Sequence, residues 1–126
     1  MDEPSRAWTL DEANAALPWV RLLVSRAQRL WAQYQNGAMS SARLVRQNGH
    51  GVVPADPSPI RECVDELAAE AVVLRDIQKG LVDFPAQASN GRWYWLCWLD
   101  GEDTVAWWHW PEDGFGGRRP LTDPPA

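Results

Sequence analysis

Residues Arg92–Trp110 read RWYWLCWLDGEDTVAWWHW. The stretch holds six of the chain's nine tryptophans, one of its two cysteines and one of its two histidines. Asp100-Gly101 is a strong short turn signal with apolar runs on both sides, so the stretch predicts a β-hairpin. With Asp100 and Gly101 as the turn, Leu96 faces Val105, Tyr94 faces Trp107 and Arg92 faces His109. Alternation then puts Tyr94, Leu96, Trp98, Val105, Trp107 and His109 on one face. Trp93, Trp95, Cys97, Leu99, Ala106, Trp108 and Trp110 fall on the other. A three- or four-residue turn shifts the partners but keeps each strand's own alternation. Both faces are apolar. One can pack on helices; the other needs a second layer from a partner subunit, a ligand or the chain's own loops.

Upstream, "VVLRDIQKGLVDFP" predicts a first hairpin, Val72–Arg75 and Leu81–Phe84, with a helix continuing to Ile77 as the competitor. Before it, Ser58-Pro59 opens a helix: a cap hydroxyl, then proline at the first helical position. Ile60, Val64, Leu67, Ala68 and Ala71 make its apolar stripe. At the N-terminus, "TLDE" (Thr9–Glu12) has capping-box spacing, with Trp8 and Ala13 placed for a hydrophobic staple. Leu10, Ala13, Leu17, Val20, Val24, Ala27, Leu30, Trp31 and Tyr34 follow at three- and four-residue intervals on one helical face. Pro18 interrupts that pattern, so a short turn over 10–16 and a long helix to about Gln35 are expected, ending at Asn36-Gly37. Residues 37–57 are expected to form a flexible loop, within which "SARLVRQ" reads as a short helix or an extension of the first. The tail beyond Trp110 has no periodicity, and residues 122–126 are expected to be disordered. The expectation is one α+β domain over residues 1–121: two antiparallel helices packed on a mostly antiparallel sheet of about four strands, in two hairpins.

The chain has 126 residues, enough for one modest core. Its net charge of −5 argues against a general nucleic-acid binder. The acidic residues around the tryptophan hairpin argue the same against base stacking on a single strand. No apolar run approaches a membrane span, and the start MDEPSRAWTLDEA lacks the basic and apolar regions of a signal peptide. Cys63 and Cys97 form no framework spacing, so free thiols and a cytoplasmic location are expected.

Three pieces, "WTLDEANAALPWV", "KGLVDFP" and "YWLCWLDGEDTVAWWHWPEDGFGGRRPL", together resemble the bacterial and archaeal family DUF2203, a domain of unknown function. They cover most of the chain in order, apart from the segment 37–57. Two departures stand out. Trp107 and Trp110 add bulk around the Trp-His pair, and Ala68-Ala69-Glu70-Ala71 stands where a glycine often precedes the first strand. The resemblance implies a small α+β protein and brings no settled activity with it.

Chemistry is therefore sought in individual residues. His109, at the end of the last strand, can serve as ligand, general base or capping donor, and it is the candidate catalytic group. Asp83 can pair with Arg118 or accept turn N–H groups. Arg118 and Arg119 follow glycines and can cradle an anion. Cys97, between Leu96 and Trp98, reads as an inert buried thiol. No His-x-x-x-His, Glu-x-x-His or Cys-x-x-Cys spacing occurs, so the sequence implies no particular cofactor; His109, Glu62 and Glu66 are the metal candidates. The tryptophans suit an interface or an aromatic pocket. Two functions follow. The first is binding of a small molecule or anion by Trp98, Trp107, His109, Arg118 and Asp83, with catalysis left open. The second is a non-catalytic homodimeric module using Trp93, Trp95 and Trp108 as its interface.

Overall fold

The computed structural model describes residues 3–48 and 56–125. Two helices pack on one antiparallel five-stranded sheet. The helices are α1 (Leu10–Asn48) and α2 (Ser58–Ala69). The strands are β1 (Val73–Asp76), β2 (Leu81–Gln87), β3 (Trp93–Leu99), β4 (Trp107–His109) and β5 (Arg119–Pro120), in the order β1-β2-β3-β4-β5. A short 3-10 turn, Phe115–Gly117, precedes β5. Four strands were expected; the fifth is the short segment Arg119–Pro120, which carries no alternation of its own and pairs with Trp107 and Trp108.

The capping box forms in both directions. Thr9 N–H donates to Glu12 Oε1 at 2.9 Å and Glu12 N–H donates to Thr9 Oγ1 at 3.1 Å. Trp8 is buried, its ring edge-on to Phe84 at 5.3 Å; its backbone N–H donates to the Pro85 carbonyl and its indole N–H to the Glu70 carbonyl. The helix does not break at Pro18. Pro18 is exposed, so the carbonyl one turn back loses its helical donor on the wet side, where water can replace it. Nor does it stop at Asn36-Gly37. A single glycine costs a helix about 1 kcal/mol, and the good helix formers in "SARLVRQ" carry it on to Asn48. The expected flexible loop over 37–57 is thus helical up to Asn48; residues 49–55 lie outside the described residues.

The second helix starts one residue earlier than expected. Pro57 is its cap, and Asp56 Oδ1 accepts the Ser58 N–H at 3.0 Å. Its buried residues are Ile60, Cys63 and Leu67. It ends in a Schellman turn: Val72 N–H donates to Leu67 O and Ala71 N–H to Ala68 O, while Val72 and Leu67 are both buried. Ala71 occupies the left-handed position at φ 63°, the site that usually takes glycine. This resolves the boundary left open in the sequence: β1 follows, and a helix through Ile77 is ruled out. Ala71→Gly removes the left-handed penalty of about 1 kcal/mol, partly offset by the entropy glycine adds to the unfolded chain. A small rise in the chemical-denaturation midpoint is expected, whereas Ala71→Val lowers it.

The helix-facing side of the sheet carries Val82, Phe84, Ala86, Leu96 and Trp98, which join Leu17, Val20, Val24 and Leu67 in one core. The hairpin turn after β3 contains Asp100-Gly101, with Glu102 N–H donating back to Leu99 O. Pairing does not resume there. Residues 102–106 bulge away, and the register becomes Trp95↔His109, Leu96↔Trp108 and Cys97↔Trp107. Helix α1 holds the bulge: Asn14 Oδ1 accepts from Val105 N–H at 2.7 Å, and Arg21 Nη2 donates to the carbonyls of Glu102 and Asp103. Each strand keeps its own alternation, but the offset is odd. Trp107 and His109 therefore share a face with Trp95 and Cys97, and Trp108 shares one with Leu96 and Trp98.

Gly80, in the β1–β2 turn, has φ 70°, and a Cβ there would sit 2.5 Å from the Cβ of Asp100. The two hairpin turns touch at this point, which only glycine permits.

Candidate functional site: a buried carboxylate, imidazole and thiol

The sheet face turned away from the helices is not bare. Its second layer comes from the chain itself. The Arg118 guanidinium lies 5.0 Å from the Trp107 ring centroid and 5.1 Å from that of Phe115, and Arg75 lies 4.7 Å from that of Trp95. Beneath this layer sit Asp83 on β2, Cys97 on β3 and His109 on β4. Asp83 and Cys97 are direct cross-strand partners, and His109 is the next residue on that face of β4 after Trp107. All three are buried, with exposures of 2%, 0% and 3%. Their ligand-type atoms lie within 4.8 Å of one another.

His109 is fixed at both nitrogens. Nδ1 lies 2.8 Å from the Trp110 carbonyl and must donate to it. Nε2 lies 2.9 Å from Asp83 Oδ2. Burial opposes a charged ring, but the Asp83 hydrogen bond, the Trp110 carbonyl and the Asp83 charge together outweigh it, so the pKa is raised. Asp83 Oδ2 also accepts from Arg75 Nε at 3.0 Å. Its Oδ1 is buried without a well-formed hydrogen bond among the described residues. Burial, then the charge of Asp83 beside it, pushes the Cys97 thiol up to about 12, so Cys97 is no nucleophile at neutral pH.

Arg118 does not reach Asp83. Its Nη2 donates to Glu102 Oε1 at 2.7 Å, and Glu102 in turn accepts the Leu99 N–H. The same Nη2 approaches the Cys97 carbonyl at 3.4 Å. Asp83 alternates with Val82 and Phe84, so it points away from the helices; it is buried because Arg75 and the segment from Pro111 to Phe115 cover that face. Arg119 is exposed on β5. Glu62 and Glu66 are exposed on α2 and are not in the cluster that contains His109.

The tryptophans divide differently from the expectation. Trp98 belongs to the core on the helix side, its Nε1 donating to the Glu102 carbonyl. It cannot line a site on the opposite face. Trp108, expected at an interface, is 1% exposed and donates through Nε1 to the Asp123 carbonyl at 2.7 Å. That bond also ties down a residue of the tail expected to be disordered. Trp107 is half-buried under Arg118. Trp93 and Trp95 are half-buried and line an apolar groove of about 610 Å³ with Pro4, Val73, Pro85 and Pro111.

A cavity of about 270 Å³ opens over the cluster. Asp83 and His109 form its buried part; Arg75, Pro111 and Phe115 form its exposed rim. Phe115 is 44% exposed.

Compared with known families, residues 6–121 match the one described as Uncharacterized conserved protein (DUF2203). The chain belongs to the DUF2203 family. Neither the curated proteins nor the solved structures yielded a match. In this DUF2203 chain, "GLVDFP", "LCW" and "WH" each contribute one member of the buried cluster: Asp83, Cys97 and His109. Sequence reasoning missed Arg75 and Glu102 as partners and dismissed Cys97. Pairing those three short stretches across an antiparallel sheet was the signal that could have joined them. Among the described residues, no helix is long and apolar enough to cross a membrane.

Proposed function

We propose that this DUF2203 chain is a binding protein for a small polar molecule carrying an anionic group, held in the cavity over Asp83 and His109. The observation that carries this reading is a buried Asp83–His109 pair beneath a cavity whose rim offers a guanidinium and an exposed aromatic ring. Buried ion pairs are expensive to maintain and gather at functional sites. At about 270 Å³ the cavity is below the usual range for a drug-sized ligand and suits a small one. Arg75, tied to Asp83 through Nε, supplies the anion-binding charge, and Phe115 covers the apolar part. Cytoplasmic residence is part of the same reading, since two free, buried thiols suit a reducing compartment.

The test is thermal denaturation of chelator-treated protein with increasing phosphate or benzoate. A saturable rise in Tm is expected, lost in Arg75→Gln and, for benzoate, in Phe115→Ala. Flat responses to both probes would count against the reading.

A second reading, homodimerisation, draws on the apolar groove, where the Trp93 indole N–H is buried without a partner among the described residues. Sedimentation velocity distinguishes it: a dimer that Trp95→Glu converts to monomer supports it, and a wild-type monomer removes it.

A further inference from the structure

The geometry points to a transition-metal site, with zinc the ion favoured by the donors, formed by the Asp83 carboxylate, the Cys97 sulfur and His109 Nε2. It rests on the reading of the cavity as a ligand site and deepens it: Arg75 holds the anionic end without a metal, and a metal there would add a second point of attachment.

Four observations carry it. First, three adjacent strands present three different ligand types on one face, their donor atoms within 4.8 Å of one another. A tetrahedral zinc with bonds of about 2.0–2.3 Å needs donors roughly 3.3–3.8 Å apart, so only small side-chain adjustments are required. Second, His109 already has the support that metal-bound imidazoles use. Its Nδ1 donates to the Trp110 carbonyl, which leaves Nε2 directed at the cluster. Third, Asp83 Oδ1 is buried with no well-formed hydrogen bond among the described residues, the Cys97 thiol beside this carboxylate being only a weak donor. Buried carboxylate oxygens are ordinarily satisfied, and a cation would satisfy this one. Fourth, the cavity touches Asp83 and His109, leaving one side of the cluster open for a fourth ligand, as in zinc sites that bind water or substrate.

The charge balances. The ion replaces the proton shared between His109 Nε2 and Asp83 Oδ2 and the Cys97 S–H proton, so two positive charges enter and two leave. Arg75 and Arg118 therefore face no added net charge. Sulfur and imidazole donors disfavour magnesium and calcium, which take oxygen ligands.

The experiment uses the full chain, stripped with a chelator and titrated with cobalt(II) alone, with no small molecule present. One equivalent is expected to give a sulfur-to-cobalt charge-transfer band with tetrahedral visible bands, abolished by one equivalent of zinc. Cys97→Ser, nearly isosteric, should lose the charge-transfer band, and Cys63→Ser should keep it. On the wild-type chain loaded with zinc, X-ray absorption should show one sulfur neighbour at about 2.3 Å and the rest nitrogen or oxygen at about 2.0–2.1 Å. The proposal is overturned by an absence of saturable cobalt absorption in the folded wild type, by a band that survives Cys97→Ser, or by zinc with no sulfur neighbour. Because the thermal-shift test uses chelator-treated protein, a failure here is distinguishable from a failure of the ligand reading.

Discussion

Asp83→Ala is expected to lower the unfolding free energy by about 3–5 kcal/mol, the range seen when one partner of a buried ion pair is removed. Asp83 accepts from His109 Nε2 and Arg75 Nε through the same oxygen, and both Asp83 and His109 are almost fully enclosed. The Arg75 half contributes little, because its side chain is 42% exposed and water screens it. The His109 half decides the size of the effect. Without the carboxylate, the ring can shed its proton rather than stay charged in the interior, which holds the loss toward the lower end of the range. Equilibrium urea unfolding of metal-free protein checks it, with a lower midpoint and an unchanged slope. A loss below about 1 kcal/mol would mean that the pair does not hold the second face of the sheet in solution.

Trp98→Ala is the second large effect, about 3–5 kcal/mol. Trp98 has no exposed surface and lies opposite Val82 in the register, within the core that α1 and α2 cover. Its indole N–H also bonds the Glu102 carbonyl at 2.9 Å, so truncation leaves both a void and a weakened anchor for the 102–106 bulge. Phenylalanine at this position keeps much of the volume and should cost less than alanine. The measurement that matters is paired. Stability should fall while the response to phosphate in the folded fraction is unchanged, because Trp98 and the cavity lie on opposite faces of the sheet. A selective loss of that response at full stability would return Trp98 to the binding site.

The α+β class, the capping box at Thr9 and Glu12, the helical stripe that follows, and both hairpin turns were legible in the residues alone. These rest on periodicity and turn chemistry that act within a few residues. Each strand's alternation was equally legible, so Trp95 with Cys97, and Trp107 with His109, were each placed on a shared face. The tertiary structure alone decided how those pairs combine. Asn14 and Arg21, on a helix about 80–90 residues earlier in the chain, capture the backbone of residues 102–105. That capture makes the offset between β3 and β4 odd. It turns His109 toward Asp83 and Cys97 and leaves Trp98 and Trp108 on the other face. A hairpin's alternation is a local property; its register, when a distant helix holds the loop, is not.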